Sequence, residues 1–591
     1  MFDRDYPAGR RQLPVLSRRS ALALMISATG AGLLAACGPS AVPPAPPAAT
    51  TPPQPAAAPT TAAAAGAAPT TAAAAAAKPA ATTVAATPVG ATGVAPAPTA
   101  TANPAVKTGG TLRWGQVGDL TTIDAISWSP VANNTLGQVN EMLIEYDDDL
   151  SIVPRLAESW EQSTDNTQLK LNLRKGVQWH NGRELNSDDV EFNLLRARDP
   201  KNPYASVVAV GSAWWTSWEK PDKYTIILKS DKPRPGAFDF LQYLRILNKE
   251  NMEGPDATTK VMGTGAFKWV EWASGDHITL AKNPNYWESG HPYLDGVNIS
   301  IYRDTQSMVV AFESGTLDVA DLIAVPDADR LRNDSNFKLY QTHDLGQFFY
   351  ARVNVANPPM DNKLFRQALS YAIDRQRFTD TVMKGFTGEP RALPWAKSSP
   401  AFDAEKNKAY AFDLDKAKSL VAQSGVTNAT FDLAWSLAGY ASEYQQLATI
   451  IQGDLAKIGI TANLKPTEPA AFTQSNQGVN PPYSGMQLSA GAFCQLREAG
   501  SEFALSRTFG YANNSSGFYD DKWTQLAAGV AIEPDAAKRK QMYDQINDYL
   551  LDQSFVMTIT PYPDIDGLQP NVMGLKYFLS TATNDRNVWL A

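Results

Sequence analysis

The sequence predicts an α/β fold for the part of the chain that follows about residue 108, and two kinds of pattern support this prediction. Short runs in which apolar and polar residues alternate predict half-buried strands, as at Leu169, Leu171 and Leu173. Longer runs with apolar residues at helical spacing predict amphipathic helices, as at Phe365 and Leu369. Strands and helices that mix in this way along one chain are typical of α/β lobes.

Further elements follow from the same patterns. Residues 224–228 and 297–301 alternate like strands. Ser187 is predicted to cap a helix, because acidic residues follow it where the helix dipole favours them and Val190 and Leu194 supply an apolar face. Two later helices are predicted from apolar stripes at residues 447–458 and 542–550.

Composition limits the classes of function. The chain has 591 residues, and the part from about Gly109 to Ala591 is long enough for two or three lobes. The net charge of −8 and the lack of a basic stripe argue against nucleic acid as a partner. The chain has two cysteines, Cys37 and Cys494. Because Cys37 is predicted to carry a lipid, Cys494 is left alone, and one cysteine cannot form an internal disulfide.

The first residues are typical of an export signal. Arg18 and Arg19 precede a short apolar run, residues 22–34, that ends in the sequence Leu-Ala-Ala-Cys at Cys37. The paired arginines resemble a twin-arginine signal, although general secretion stays open. The ending resembles a bacterial lipobox, in which the cysteine is acylated. We therefore predict lipid attachment at Cys37, with an uncleaved anchor helix as the alternative.

A low-complexity segment follows the cysteine. Residues 38–107 consist almost entirely of Ala, Pro, Thr and Gly, with no aromatic residue and almost no charge. Such a composition offers little to bury and favours extended conformations. We predict a disordered linker that holds the folded part away from a membrane surface.

Short segments in order along the folded part resemble the extracytoplasmic solute-binding proteins of ABC importers, family 5, which includes oligopeptide, dipeptide and nickel binders. The segments are GGTLR (109–113), LAESW (156–160), LRKGVQWHNG (173–182), DDV (188–190), GTGAF (263–267), NPNYW (283–287), FRQALSYAIDR (365–375) and LAKIGI (455–460). Each match alone is weak, but together they span the folded part in the family's order.

The resemblance implies a periplasmic-binding-protein-like fold (type II, cluster C), with two large lobes, a hinge and a smaller inserted lobe. The implied organisation is an export signal at 1–37, a linker at 38–107, a discontinuous lobe I at 108–150, 260–345 and 556–591, lobe II at 151–259 and lobe III at 346–555. The solute is expected in the cleft between lobes I and III, which close by a hinge.

The resemblance also implies a function. The chain is expected to be a monomeric, extracytoplasmic receptor that captures a peptide-like solute and delivers it to an ABC permease and ATPase, without a cofactor of its own. The membrane contact would be the lipid anchor. An oligosaccharide is the alternative solute, because the chain has 14 tryptophans and aromatic rings stack on sugar faces. A lipid-anchored hydrolase is a third alternative.

Aromatic residues in loop-like contexts are candidates for the cleft. Trp128 follows the first predicted strand, and Trp395 follows Leu-Pro in a loop. Both offer large contact areas to a ligand. Phe493 lies in the stretch 489–503, which corresponds to the ligand-reading segment of the family's peptide binders, and it is included among the predicted ligand-binding residues.

The same stretch departs from the peptide binders, because it lacks their Asp-Pro element. Glu498 is a candidate substitute for the missing carboxylate. Arg497 beside it favours a ligand that bears a carboxylate or phosphate. The alternative for Arg497 is a surface ion pair with Glu498 or Glu502.

Other chemistry finds little support in the sequence. The four histidines lack metal-ligand spacing, so we predict no metal site and a structural role for His180. The GTG at 263–265 lacks the lysine of a P-loop, and a tight turn is the expected reading. For a hydrolase, no GxSxG is present, and an SxxK at 335–338 follows a KTG at 107–109 in the wrong order.

Overall fold

The computed structural model describes most of the chain after residue 105. The described residues are 106–127, 130–147, 149–201, 206–342, 344, 346–476, 482–491, 496–511, 514–577 and 585–591. The predicted export signal, the lipid-attachment site Cys37 and the linker lie outside these residues.

Twenty strands are described, most of them short. They are β1 (Thr111–Val117), β2 (Ile144–Tyr146), β3 (Ile152–Pro154), β4 (Ala157–Gln162), β5 (Gln168–Leu173), β6 (Ser217–Asp222), β7 (Thr225–Lys229), β8 (Phe267–Ala273), β9 (His277–Lys282), β10 (Gly296–Tyr302), β11 (Val319–Ala320), β12 (Lys338–Gln341), β13 (Phe348–Val353), β14 (Thr430–Ser436), β15 (Thr461–Thr467), β16 (Met486–Ala490), β17 (Val556–Pro561), β18 (Ile565–Leu568), β19 (Val572–Met573) and β20 (Trp589–Leu590).

Helices alternate with these strands. They are α1 (Pro130–Leu136), α2 (Ser187–Ala197), α3 (Ser206–Ala213), α4 (Ala237–Leu241), α5 (Lys249–Met252), α6 (Thr305–Glu313), α7 (Val325–Leu331), α8 (Lys363–Ala372), α9 (Arg375–Thr381), α10 (Leu414–Ser424), α11 (Ala441–Ala456), α12 (Pro469–Ser475), α13 (Gly500–Leu505), α14 (Asp521–Val530) and α15 (Ala536–Gln553), with 3₁₀ turns at Lys406–Lys408 and Asp585–Asn587.

Three sheets organise the described part of the chain. A seven-stranded sheet has the order β12-β18-β11-β1-β10-β9-β8, a five-stranded sheet has the order β15-β14-β16-β13-β17, and a four-stranded sheet has the order β4-β5-β7-β6. Below, lobe I means the part built on the seven-stranded sheet, lobe II the part built on the four-stranded sheet, and lobe III the part built on the five-stranded sheet.

Two short segments carry the chain between the sheets of lobes I and III. One joins β12 to β13 through residues 342–347, and the other joins β17 to β18 through residues 562–564. The last of the three segments predicted for lobe I began at residue 556, but β17 (Val556–Pro561) pairs with β13 in the sheet of lobe III. The second crossing therefore comes six residues later than expected from the resemblance, because the strand completes its pairing before it leaves the sheet.

Apolar side chains form the core on both sides of these crossings. One buried cluster fills lobes I and II, and a second extends from Met308 and Phe312 of lobe I to one face of the sheet in lobe III. A third cluster covers the opposite face of that sheet, where Phe348 and Tyr350 point away from Phe349. Because side chains alternate along β13, a single strand contributes to both clusters.

The structure confirms the alternating strand pattern in lobe II. Leu169, Leu171 and Leu173 are at most 1% exposed along β5. The helix predicted to be capped by Ser187 is present as α2, but its cap is Asn186, whose side chain accepts from the backbone of Asp188. The prediction was wrong by one residue because Asn and Ser are both good caps and the sequence places them side by side.

The GTG segment is held by close backbone packing. Gly265 N donates to Val139 O over 2.9 Å, and a Cβ on Gly263 would lie 1.7 Å from the same carbonyl oxygen. His180 closes the segment from the other side, with its backbone N–H on Gly263 O and its Nε2 at 3.1 Å from Gly265 O. Burial lowers the pKa of His180 to about 4, so the ring is neutral near pH 7. The histidine has the predicted structural role.

We expect Gly263→Ala to destabilise the fold by about 3 kcal/mol or more, because the new methyl group meets a backbone carbonyl that cannot rotate away. Urea-induced unfolding followed by circular dichroism would measure the loss. Gly453→Ala is the matched control: its Cβ meets nothing within 4 Å in α11. The control should gain about 0.5 to 1 kcal/mol, since alanine favours a helix. Equal stability of the two variants would contradict this account of the GTG segment.

Candidate functional site

The ends of the strands in lobe I meet at the crossings to lobe III. β1, β10 and β11 are parallel, so their carboxyl ends share one edge of the sheet. β18 runs antiparallel to β11 and β12, so β12 ends and β18 begins at that same edge. In open sheets with parallel strands, such an edge is where ligands bind. It is therefore the first place to look for a functional site.

Three buried acidic side chains lie at this edge. Asp321 follows β11, Asp566 lies in β18, and Asp564 directly precedes that strand. Asp321 accepts from the hydroxyl of Tyr577 over 3.0 Å and from the Asn134 amide over 3.2 Å. Among the described residues, none of the three carboxylates forms an ion pair with a lysine or arginine. Their charge is therefore compensated by neutral donors alone.

Burial raises the pKa of each of these acids. The pKa of Asp564 rises to about 6, and those of Asp321 and Asp566 are raised by burial together with repulsion from neighbouring carboxylates. A carboxylic acid removed from water with no cation beside it favours its neutral form. The cluster thus holds protons at pH values where exposed aspartates are ionised.

Tyrosines surround the crossing on the side of lobe III. The Tyr440 hydroxyl donates to Asp564 over 2.9 Å and so bridges the two lobes. Its ring lies 4.8 Å from that of Tyr562, and Phe349 contacts both rings at 5.4 Å and 5.6 Å between centroids. Aromatic packing of this kind gives the crossing a rigid surface on one side.

A polar cavity of about 450 Å³ lies where lobe II meets lobe III. Its walls come from the paired strands β2 and β3, from lobe II and from two segments of lobe III. The lining residues are Tyr146, Ile152, Trp160, Gln162, Asn166, Pro235, Phe238, Asp239, Arg497, Glu498, Pro534 and Arg539. Two of the five residues predicted to bind ligand, Arg497 and Glu498, are among them.

The two predicted neighbours have different surroundings. Glu498 is buried and pairs with Arg539 over 2.9 Å, and it also accepts from the hydroxyl of Tyr543. Arg497 is exposed in the cavity, and its guanidinium makes one long contact, 3.5 Å from Nη1 to Leu150 O. Within the described ranges, Arg497 forms no ion pair with Glu498, Glu502 or any other acid. The alternative of a surface ion pair for Arg497 is therefore not what the structure shows.

Asp239 joins the lobes beside this cavity. Its carboxylate accepts from the backbone N–H groups of Arg497 and Glu498, over 2.8 and 3.1 Å, and from the hydroxyls of Tyr146 and Ser501, over 2.9 and 2.7 Å. Burial raises the pKa of Asp239 to about 7 despite these four donors. The carboxylate fixes residues 497–498 of lobe III against α4 of lobe II.

A glycine permits the close approach of the two lobes. A Cβ on Gly236 would lie 1.8 Å from the hydroxyl oxygen of Ser501, one of the donors to Asp239. A larger residue at position 236 would therefore displace the segment that Asp239 holds.

The other predicted ligand-binding residues lie elsewhere. Trp395 is 0% exposed, packs edge-on against Phe503, and donates from Nε1 to Asn547 over 2.7 Å. Its ring therefore offers no surface to a ligand in this conformation. Trp128 and Phe493 lie outside the described residues, so their predicted contacts with a ligand stay predictions.

Ten of the twelve residues that line the cavity had no assigned role in the sequence, and four of these ten illustrate why. Trp160 is part of a motif that carries the family resemblance, but the motif does not indicate that its side chain lines a cavity. Asp239, Tyr146 and Arg539 carried no local signal. The reason is distance along the chain: the contact between Asp239 and Arg497 joins residues 258 positions apart.

No group of three or more potential metal ligands is found in the part of the chain that the structure describes, so the structure offers no described candidate for a metal site. A search of the described helices for a membrane-spanning segment finds none of sufficient length and apolarity.

The acid cluster at the crossings makes a prediction about pH. Because the folded chain binds more protons at Asp321 and Asp566 than the unfolded chain, their contribution to stability falls as pH rises from about 4, where aspartates of the unfolded chain titrate, to about 7, the pKa of Asp321 in the folded chain. Asp321→Asn removes one of the titrating groups but keeps a similar shape. Relative to wild type, this variant should gain about 1 to 3 kcal/mol over that pH range.

Urea-induced unfolding at a series of pH values would measure this difference. Asp380→Asn is the matched control, since Asp380 is exposed on lobe III. Its profile shows how loss of a carboxylate outside the buried cluster affects stability, and the profile of Asp321→Asn is compared with it. A flat profile for Asp321→Asn would show that the cluster does not titrate as its burial requires.

Comparison with known proteins agrees with this architecture. The family model described as "Bacterial extracellular solute-binding proteins, family 5 Middle" matches residues 151–492. Heme-binding protein A of Haemophilus influenzae is 27% identical over 480 residues, which cover 75% of this chain and 85% of the relative. Glutathione-binding protein GsiB of Escherichia coli K12 is 25% identical over 458 residues, covering 74% of this chain and 86% of the relative.

The fold is shared with a solved structure. The periplasmic binding protein AgaA from A. tumefacien R10, solved in complex with agropinic acid, has a TM-score of 0.71 and 26% identity, and the match covers 82% of this chain and 99% of AgaA. This likeness confirms the predicted periplasmic-binding-protein-like fold. Since the family model also matches more than half of the sequence, the chain belongs to the bacterial extracellular solute-binding proteins of family 5.

Proposed function

We propose that this chain is the substrate-binding receptor of an ABC importer and that it captures a peptide-like solute between its lobes. The observation that carries this proposal is the pair of adjacent crossings, residues 342–347 and 562–564, which join two separately packed sheets. Two short connections side by side permit rotation of one lobe against the other while each sheet stays intact. The proposed receptor is a monomer, and it delivers its solute to a membrane permease.

Binding and closure are coupled in this mechanism. A solute that contacts both lobes has a higher affinity for the closed arrangement than for the open one, and it shifts the population toward closure by that difference. The closed form then presents a surface that the empty form lacks. No bond of the solute changes, so we also propose that the chain is a binding protein and not an enzyme.

The named ligands of the relatives favour a peptide-like solute. GsiB is named for binding glutathione, which is a tripeptide, and heme-binding protein A and AgaA are named with heme and agropinic acid. None of these three proteins is named for an oligosaccharide. The family's description as extracellular binding proteins leaves the hydrolase alternative without support.

A binding assay on the full-length chain tests the proposed solute class. Glutathione, di- and tripeptides and maltotriose would be compared by isothermal titration calorimetry and by thermal unfolding. A true solute at about 100 times its Kd should add about 2.7 kcal/mol to the free energy of unfolding. We expect saturable binding within the peptide group and none of maltotriose. Binding of maltotriose alone would contradict the proposal.

We also propose that Cys37 carries a lipid that anchors the receptor to a membrane, with residues 38–107 as the spacer. The support is the sequence Leu-Ala-Ala-Cys after a short apolar run, together with a family of extracellular proteins. One acyl chain binds a membrane weakly, so stable anchoring requires more than one. A lipid-modified cysteine satisfies this requirement if it is acylated at both its sulfur and its new amino group.

Phase partition in a bacterial host tests the anchor. The wild-type chain should enter the detergent phase of Triton X-114, and Cys37→Ala should remain in the aqueous phase, because the proposed attachment point for the lipid is removed. Cys494→Ala is the matched control, since it removes the other cysteine of the chain. Detergent partition of Cys37→Ala equal to that of wild type would refute attachment at this residue.

A further inference from the structure

One arginine side chain in the cavity between lobes II and III has no carboxylate within ion-pair distance among the described residues. Of the two acidic residues that line the cavity, Glu498 is engaged by Arg539 and Tyr543, and Asp239 accepts hydrogen bonds from four neutral donors. Of the two arginines, Arg539 is paired with Glu498, whereas the guanidinium of Arg497 has, within the described ranges, the 3.5 Å contact to a carbonyl oxygen. The charged group left to meet a ligand is the guanidinium of Arg497.

We propose that this cavity binds an anionic group, a carboxylate or a phosphate, through the guanidinium of Arg497, and that the bound anion stabilises the arrangement in which lobes II and III meet. The inference rests on the proposed receptor function, and it adds the charge of the ligand and the place where that charge is bound. A guanidinium is suited to this role because its parallel N–H groups match the two oxygens of a carboxylate or phosphate.

The position of the cavity explains why binding would favour closure. Trp160, Gln162 and Phe238 line it from lobe II, and Arg497 and Arg539 line it from lobe III. These lobes are linked through other parts of the chain, so the walls come together only when lobe III lies against lobe II. A ligand that contacts both walls loses part of its site when the walls separate. Its binding energy therefore shifts the equilibrium between separated and adjoining lobes toward the adjoining arrangement.

Arg497 disfavours a cationic group beside it, because like charges repel. An ammonium group in the cavity would also find Glu498 already paired with Arg539. The role predicted for Glu498, a substitute for the aspartate that binds the amino terminus of a peptide, is therefore unsuited to this site. An anionic end of a solute fits where an amino terminus does not.

The anion could be part of the transported solute or a separate small molecule, and one titration series distinguishes these sources. Inorganic phosphate, succinate, glutathione, trialanine and trialanine amide would be titrated into the full-length chain by calorimetry. Binding of phosphate or succinate alone indicates a separate anion. Binding of glutathione or trialanine, but not of trialanine amide or the small anions, indicates a carboxylate of the solute.

The variant Arg497→Gln tests the assignment in both cases. It should weaken binding of the anion that wild type binds by at least about tenfold, because a charge-assisted pair is replaced by a neutral contact. Lys418→Gln is the matched control: it removes one positive charge from an exposed position on α10 that does not line the cavity, and it should bind like wild type. Small-angle scattering should show that the bound anion makes wild type more compact and leaves Arg497→Gln unchanged.

The outcomes separate this inference from the proposed function. If peptides bind equally to wild type and Arg497→Gln, the receptor function stands and the anion site is overturned. If no anion in the series shows binding that depends on Arg497, the site is overturned as well. If no peptide-like solute binds but a small anion does so through Arg497, the anion site stands and the proposed solute class fails.

Discussion

The arrangement of the lobes depends on one buried carboxylate. Asp239 extends from lobe II and accepts hydrogen bonds from consecutive backbone N–H groups at residues 497 and 498 and from the hydroxyl of Ser501. It thereby places Glu498 against Arg539 and leaves the side chain of Arg497 in the cavity. The electrostatic character of the cavity is thus a consequence of how two lobes are held together.

The second interlobe contact, at the crossings, has the same physical character. Tyr440 of lobe III donates to Asp564, and Asp564 lies beside the buried acids Asp321 and Asp566. On the adjacent side, Glu443 of lobe III accepts from the backbone of Val325. In each case a carboxylate buried by the approach of the lobes is stabilised by neutral donors. Such contacts are directional, so they fix how the two lobes are placed against each other where they meet.

The sequence predicted the elements of the fold better than the site. Strand β5 and helix α8 follow from spacing within about ten residues, and burial confirms the apolar faces. The family resemblance supplied the order of the lobes, which local patterns do not contain. It placed β17 in lobe I, because a motif does not record with which sheet a strand pairs.

The candidate site depended on contacts that no local pattern encodes. Trp395 looked like a cleft residue because it follows a proline in a loop, yet its ring fills a gap beside Phe503 and Asn547. The sequence places Glu498 beside Arg497 as a potential ion-pair partner, and only the structure shows that Glu498 pairs with Arg539. A sequence can indicate that charged residues are present, but whether a charge is compensated depends on residues far along the chain.

The raised pKa values at both interlobe contacts bear on how the receptor would release its solute. Asp239 and Asp564, with pKa values of about 7 and about 6, are buried where lobes meet. At neutral pH a buried carboxylate without a cation disfavours its own burial, so the closed arrangement has a built-in opposing contribution. For the lobes to close, the binding energy of the solute must exceed that contribution. When the solute leaves, the same contribution favours separation of the lobes. The acids that position the cavity therefore also limit the stability of any arrangement of the lobes that buries them in their ionised form.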